Sequence, residues 1–185
     1  MKKMIIAALT ATSAFIAIPA AAQPVAASGT VNVTGSVQPK CTAITPIEGT
    51  ITLNELAVAN GTVDSAFSSN SGGLSKSFTV RCTSANPGLS VTAAPLTTTS
   101  TGTPGYTGTV HYTATLTAAK AGGGNATVID TSNVAAATTG SVTDRLANSN
   151  DNVSIAISNG NTTNGADLLE AGSYTGTIAI TVSPS

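Results

Sequence analysis

From Val25 to Val37 the chain alternates small or apolar residues with polar ones, placing Val25, Ala27, Gly29, Val31, Val33, Gly35 and Val37 on one side. A period of two is that of a half-buried strand, and it predicts one here. The same period returns in short runs separated by Gly, Pro, Asn and Ser clusters. Thr50 to Leu56 puts Ile51 and Leu53 on one face. Ser75 to Thr83 puts Phe78, Val80 and Cys82 together, and Leu89, Val91 and Ala93 follow. Pro95 to Gly108 reads as a loop. Val110, Tyr112, Ala114 and Leu116 then form a face that ends at a Lys120 to Asn125 turn. A weaker strand spans Ala126 to Asp130, and residues 131–150 give no pattern. Val153, Ile155 and Ile157 make a strand closed by Asn159-Gly160-Asn161, and Tyr174 to Val182 alternates to the end. Helix signals are nearly absent after residue 23. About eight short strands spaced by turns predict an all-β chain, a β-sandwich ahead of a barrel.

Met1 to Ala22 has a basic start, an apolar stretch and Ala20-Ala21-Ala22 before Gln23. These are the parts of a secretory leader. An alanine-rich run is a poor permanent anchor, which needs about 20 strongly apolar residues. The expected division is a leader at 1–22, an N-terminal extension at 23–35 and one domain at 36–185. Beyond the leader, Lys40, Lys76, Arg81, Lys120 and Arg145 stand against eight carboxylates and are scattered along the sequence. Nucleic acid is thereby excluded as a partner, since phosphate binding needs clustered cations.

Export favours oxidation of Cys41 and Cys82 to one disulfide, which on the chain-entropy estimate stabilises by about 4 kcal/mol. Two free thiols or a metal pair are the alternatives. A single histidine, His111, with no ligand cluster nearby does not complete a metal site. His111 also falls opposite Tyr112 in the alternation, on an outer face. No nucleophile elbow or metal-ligand spacing is present. The chain therefore reads as no enzyme, with no cofactor and no metal.

The order of the parts carries more than any one of them. Gly29-Thr-Val-Asn-Val-Thr-Gly-Ser-Val37 precedes Cys41, Thr50-Ile-Thr-Leu-Asn-Glu-Leu56 and Ser77-Phe-Thr-Val-Arg-Cys82. The chain closes with Ala171-Gly-Ser-Tyr-Thr-Gly-Thr-Ile-Ala-Ile-Thr-Val182. Behind a leader, this series resembles the subunits of chaperone/usher pili, the fimbrial pilins. The resemblance implies an incomplete immunoglobulin-like β-sandwich that lacks its last strand, with Cys41 and Cys82 as the family disulfide. It implies that Val25, Ala27, Gly29, Val31, Val33 and Gly35 belong to a donor strand that fills the groove of a neighbouring subunit. Gly172, Ile178, Ile180 and Val182 match the edge on which a chaperone pairs.

The implied function is a structural pilus subunit that polymerises by strand donation and supports adhesion. Its partners would be copies of itself or other pilus subunits, a periplasmic chaperone and an outer-membrane usher. The route runs through the periplasm to the cell surface, with no membrane anchor in the mature form. The chain departs from the family at its end, Val182-Ser183-Pro184-Ser185, where pilins usually carry a penultimate tyrosine. The alternative is a self-contained Ig-like secreted or periplasmic binding module, in which the N-terminal run pairs within its own sheet.

Overall fold

A computed structural model describes residues 26–100 and 102–185; residues 1–25, with the expected leader at 1–22 and Val25, lie outside the described residues. The chain divides into two units at Gly35. Within the first, residues 26–35 form no strand, and Val31 and Val33 are 87% and 92% exposed. The strand predicted from Val25 to Val37 is therefore not found among the described residues. A period of two shapes a chain for a sheet, but a strand exists only where N–H and C=O groups find a ladder.

The second unit, Ser36–Ser185, is all-β, without a helix among the described residues. Its strands are β1 (Cys41–Ala43), β2 (Ser75–Phe78), β3 (Val80–Cys82), β4 (Gly88–Ala93), β5 (Leu96–Thr97) and β6 (Tyr106–Thr107). They continue with β7 (Thr109–Ala119), β8 (Asn125–Thr131), β9 (Thr138–Ser141), β10 (Val153–Asn161), β11 (Leu168–Leu169) and β12 (Ile178–Ser183). One sheet has the order β2-β10-β7-β5, with β8 also on β7; another has the order β12-β4-β9. β1 pairs with β3 antiparallel, and β11 pairs with β6 parallel. Apart from that short pair, all the ladders are antiparallel.

The alternation read from sequence becomes burial. Leu89, Val91 and Ala93 of β4 are buried, as are Val110, Tyr112, Ala114, Leu116 and Ala118 of β7, and Val153, Ile155 and Ile157 of β10. All belong to one core, an arrangement consistent with a β-sandwich. Aromatic residues make up only 3% of the chain, so aliphatic side chains must fill most of that space. The buried Asp130 carboxylate joins β8 to the other sheet. Its Oδ2 accepts the Ala93 N–H at 2.8 Å, and its Oδ1 accepts the Thr138 hydroxyl at 2.6 Å. A disulfide links Cys41 to Cys82, and these two residues are direct partners in the β1–β3 ladder.

Several other sequence readings change. The run from Ser75 to Thr83 is two strands broken at the buried Thr79. Past the break, the side chain of Asn152 takes the place of a neighbouring strand. Its Oδ1 accepts the Val80 N–H at 2.9 Å, and its Nδ2 donates to Val80 O and Ala147 O, each at 2.7 Å. Asn159-Gly160-Asn161 is no closing turn but a bulged continuation of β10, with a register shift between Ser158 and Asn161. Gly160 allows the close approach, since a Cβ there would lie 2.7 Å from the Phe67 ring. Finally, Thr50 to Leu56 keeps its alternation but forms no strand, because it has no ladder partner among the described residues. β5 and β6 also lie within the predicted 95–108 loop, and β9 lies in the unassigned 131–150 stretch.

Candidate functional site

The last strand has one satisfied side and one open side. Thr175 exchanges both main-chain hydrogen bonds with Thr97 (2.9 and 3.0 Å), and Thr177 O accepts the Ala94 N–H at 2.8 Å. Main-chain groups alternate sides along an antiparallel strand, so Ala179, Thr181 and Ser183 also point toward β4. Ile178, Ile180 and Val182 direct their N–H and C=O groups the other way. On that side β12 has no partner strand among the described residues. The side chains of these three residues lean toward the core yet remain only half-buried.

Across the gap runs the segment from Ile47 to Leu56. Ile47, Ile51 and Leu53 are half-buried, while Thr50, Thr52 and Asn54 are exposed, and Leu56 is buried at the far end. The main chain from 46 to 54 makes no hydrogen bond among the described residues. Between this segment and β12 lies a cleft of about 290 Å³. Phe78, Tyr112, Ile155 and Ile157 contribute to it from the β2-β10-β7 sheet, with Ile51 and Leu53 on one wall and Ile178 and Ile180 on the other. A second cleft of about 600 Å³ shares Ile51, Leu53 and Leu96 and extends to Leu169 and Tyr174. Glu55 and Glu170 also line it. The gap is thus a trough with an apolar base, with Glu48 and Lys76 also lining the first cleft, bordered by two extended chains, each with unspent main-chain donors and acceptors.

Several side chains hold this shape. Gly176 lets the chain enter β12 tight against β4, since a Cβ there would lie 2.8 Å from Pro95 O and 3.0 Å from Ala94 O. Tyr112 is 3% exposed, with its hydroxyl 3.4 Å from Thr177 O. Burial, reinforced by the Asp130 carboxylate, pushes the Tyr112 hydroxyl up to about 12. Tyr174 fixes the corner before β12, with its hydroxyl 2.8 Å from Glu170 O and 3.1 Å from Thr107 O. Burial and the nearby Glu170 raise its pKa as well. In sequence Tyr174 looked like one more alternating position; the Gly-Ser pair before it marks the corner that its hydroxyl closes.

No family model, no curated protein and no solved structure matches the chain.

The residues singled out from sequence distribute unevenly. Ile178 and Ile180 line the trough and Val182 continues their row on β12, while Gly172 lies ahead of the strand, packed against Thr98. Ala27, Gly29, Val31, Val33 and Gly35 are exposed. His111, placed on an outer face by the alternation, is half-buried, with Nε2 3.4 Å from the Thr163 hydroxyl and Nδ1 without a partner. Among the described residues no group of three or more His, Cys, Asp or Glu side chains could hold a metal ion. The residues that sequence reasoning missed are those of the trough's base, Phe78, Tyr112, Ile155 and Ile157. Their alternation marks them as core but not as core left open.

Proposed function

We propose that this chain is a structural subunit that polymerises by lending its N-terminal run to the open trough of the next copy, as in chaperone/usher pili. The observation that carries the reading is a pair of complementary deficits. Among the described residues, an apolar-floored trough has unpaired Ile178, Ile180 and Val182 on one side and the ladderless 47–56 segment on the other. The extension has strand periodicity, no strand and exposed valines. Strand addition joins the two, with main-chain bonds giving affinity and alternate side chains filling the apolar floor.

The strand order supports an immunoglobulin-like reading. That sandwich places ABED in one sheet and CFG in the other. Assigning β1 to A, β2 and β3 to B, β4 to C, β7 to D, β10 to E and β12 to F reproduces the neighbours A-B-E-D and C-F. Among the described residues the position beside F is empty. Tyr174 adds a second support: a tyrosine at the E–F corner bonded to main chain a few residues upstream is a mark of such sandwiches. An exposed core edge calls for a periplasmic chaperone to cover it before assembly, since open edges aggregate. An outer-membrane usher and a surface fibre complete the reading. Pro184 cannot donate to a ladder, so chaperone pairing along β12 ends by Ser183.

Deleting residues 23–35 from the mature chain tests the proposal. The shortened subunit, supplied with a strand, folds with its disulfide and gives no multimer ladder on an unheated gel. Heat-resistant multimers formed without the extension would overturn the reading.

A further inference from the structure

Beyond residue 22 the chain has five Lys and Arg residues, and the fold brings four of them to one end. The Lys40 N–H donates to Thr83 Oγ1 at 2.9 Å, and the Arg145 guanidinium donates to Thr83 O at 3.0 Å. Arg81 and Arg145 line a common cleft with Ala121, the neighbour of Lys120, and the Arg81 guanidinium holds Ser149 O at 2.6 Å. Asp144 and Asp151 also lie at this end, leaving cations in excess. Asp144 is engaged there, since it accepts the Gly122 and Arg145 N–H groups.

The opposite end is acidic. Glu170 donates its N–H to Thr107 O, just before β7 begins, and Glu55 shares the second cleft with it. Asp167 precedes β11, which pairs with β6 at the same end. No Lys or Arg joins them, since the fifth cation, Lys76, lines the first cleft. β7 separates the poles: its eleven residues span roughly 35 Å at the usual rise per strand residue.

Both poles bear on the trough. β12 starts at the acidic end and finishes at the basic one, where Ser183 pairs with Gly88 and the Ser84 hydroxyl reaches Ser185 O. The extension joins the folded unit through Gln38 and Lys40, both held by Thr83 at the basic end. Resting on the strand-donation reading above, we infer that the basic pole of one copy docks against the acidic pole of the next. Charge thereby selects the direction of the inserted strand. Running antiparallel to β12, a donor leaves the trough beside Glu55 and Glu170, so its own Lys40, Arg81, Lys120 and Arg145 arrive against carboxylates. Running parallel, it would bring two basic poles together.

The test follows multimer formation by the full mature chain, on unheated gels and by light scattering, as salt shortens the Debye length from about 30 Å to about 3 Å. Wild type slows about tenfold across that range, the scale of electrostatic steering. Lys40→Glu with Lys120→Glu, or Glu55→Lys with Asp167→Lys, slows assembly about tenfold at low salt and flattens the salt dependence. All four changes together restore both. Wild-type rates and salt slopes in the two-residue variants, or a four-residue variant as slow as they are, overturn the pole contact while leaving strand donation standing. Absence of any wild-type multimer overturns both.

Discussion

Appending residues 25–37 after Ser185 through a tight turn, on a chain lacking its own 23–35, supplies the missing strand within one molecule. The turn runs the added segment antiparallel to β12, over the open groups of Ile178, Ile180 and Val182. New main-chain bonds at about 1 kcal/mol each roughly offset the ordering of the added residues, so apolar burial decides the outcome. Val31, Val33 and Val37 start at 87%, 92% and 77% exposed, and burying a valine fully is worth about 1.5 kcal/mol or more. Three of them contribute about 5 kcal/mol, and covering the half-exposed Ile51, Ile178 and Ile180 adds to that. Urea denaturation with the disulfide intact should show a midpoint higher by about 2 M, for slopes of about 1–3 kcal/mol/M. The same chain should remain monomeric. An Asp at both Val31 and Val33 of the appended segment should abolish the gain. A midpoint unchanged by the appended strand, or raised equally by the Asp version, would refute the argument that the trough is an apolar strand site.

Two further outcomes concern the frame around the trough. Asn152→Ala leaves Val80 N–H and Val80 O buried without partners and strips the part-buried Ala147 O of its donor; the two buried groups alone should cost about 2–6 kcal/mol at about 1–3 each. Asn152→Asp should be no better, because it presents a carboxylate to two carbonyls; denaturant midpoints of both variants check this. For Tyr112, a hydroxyl raised from 10.0 to about 12 in the folded chain stays protonated where the unfolded chain has ionised. Stability should therefore hold below the unfolded value and fall as pH rises through that window. Tyr112→Phe should lessen this fall, leaving the share of Tyr174, whose pKa is raised as well, and remove the component of the tyrosinate absorbance that titrates at about 12.

The parts of the fold that could be read in advance are those whose residues alternate against a filled core. β4, β7, β8 and the first half of β10 fall where Leu89 to Ala93, Val110 to Leu116, Ala126 to Asp130 and Val153 to Ile157 placed them. The buried faces of β4, β7 and β10 are the expected ones, because a slip of one residue would turn every side chain outward; β8, to which no face was assigned, buries Val128 and Asp130 and leaves Ile129 exposed. Tertiary contacts decided the failures. A side chain, Asn152, ends the β2–β3 run, and Phe67 packed against Gly160 turns an Asn-Gly turn signal into a bulge. β9 has a ladder with β4 but almost no apolar residue of its own, since Thr138, Thr139, Gly140 and Ser141 reveal no face.

The candidate site was half legible, and for a physical reason. Ile178, Ile180 and Val182 carry the period of a strand, and so does Ile51 to Leu53, but periodicity cannot say whether the neighbour of a strand is present. An unfilled position in a sheet has no residues to read. It emerges only when strand order is known and β12 proves to be paired, among the described residues, on β4 alone. The alternating run at the other end of the chain poses the converse problem, a pattern with no ladder. Each is weak alone, since edge strands and loose N-termini are common. Together they support the strand-donation proposal. The trough needs an uncharged segment with apolar residues at every second position, and residues 25–37 contain no Lys, Arg, Asp or Glu. The charges that would penalise burial in an apolar groove begin at Lys40, where the main chain is already tied to Thr83 within the folded unit.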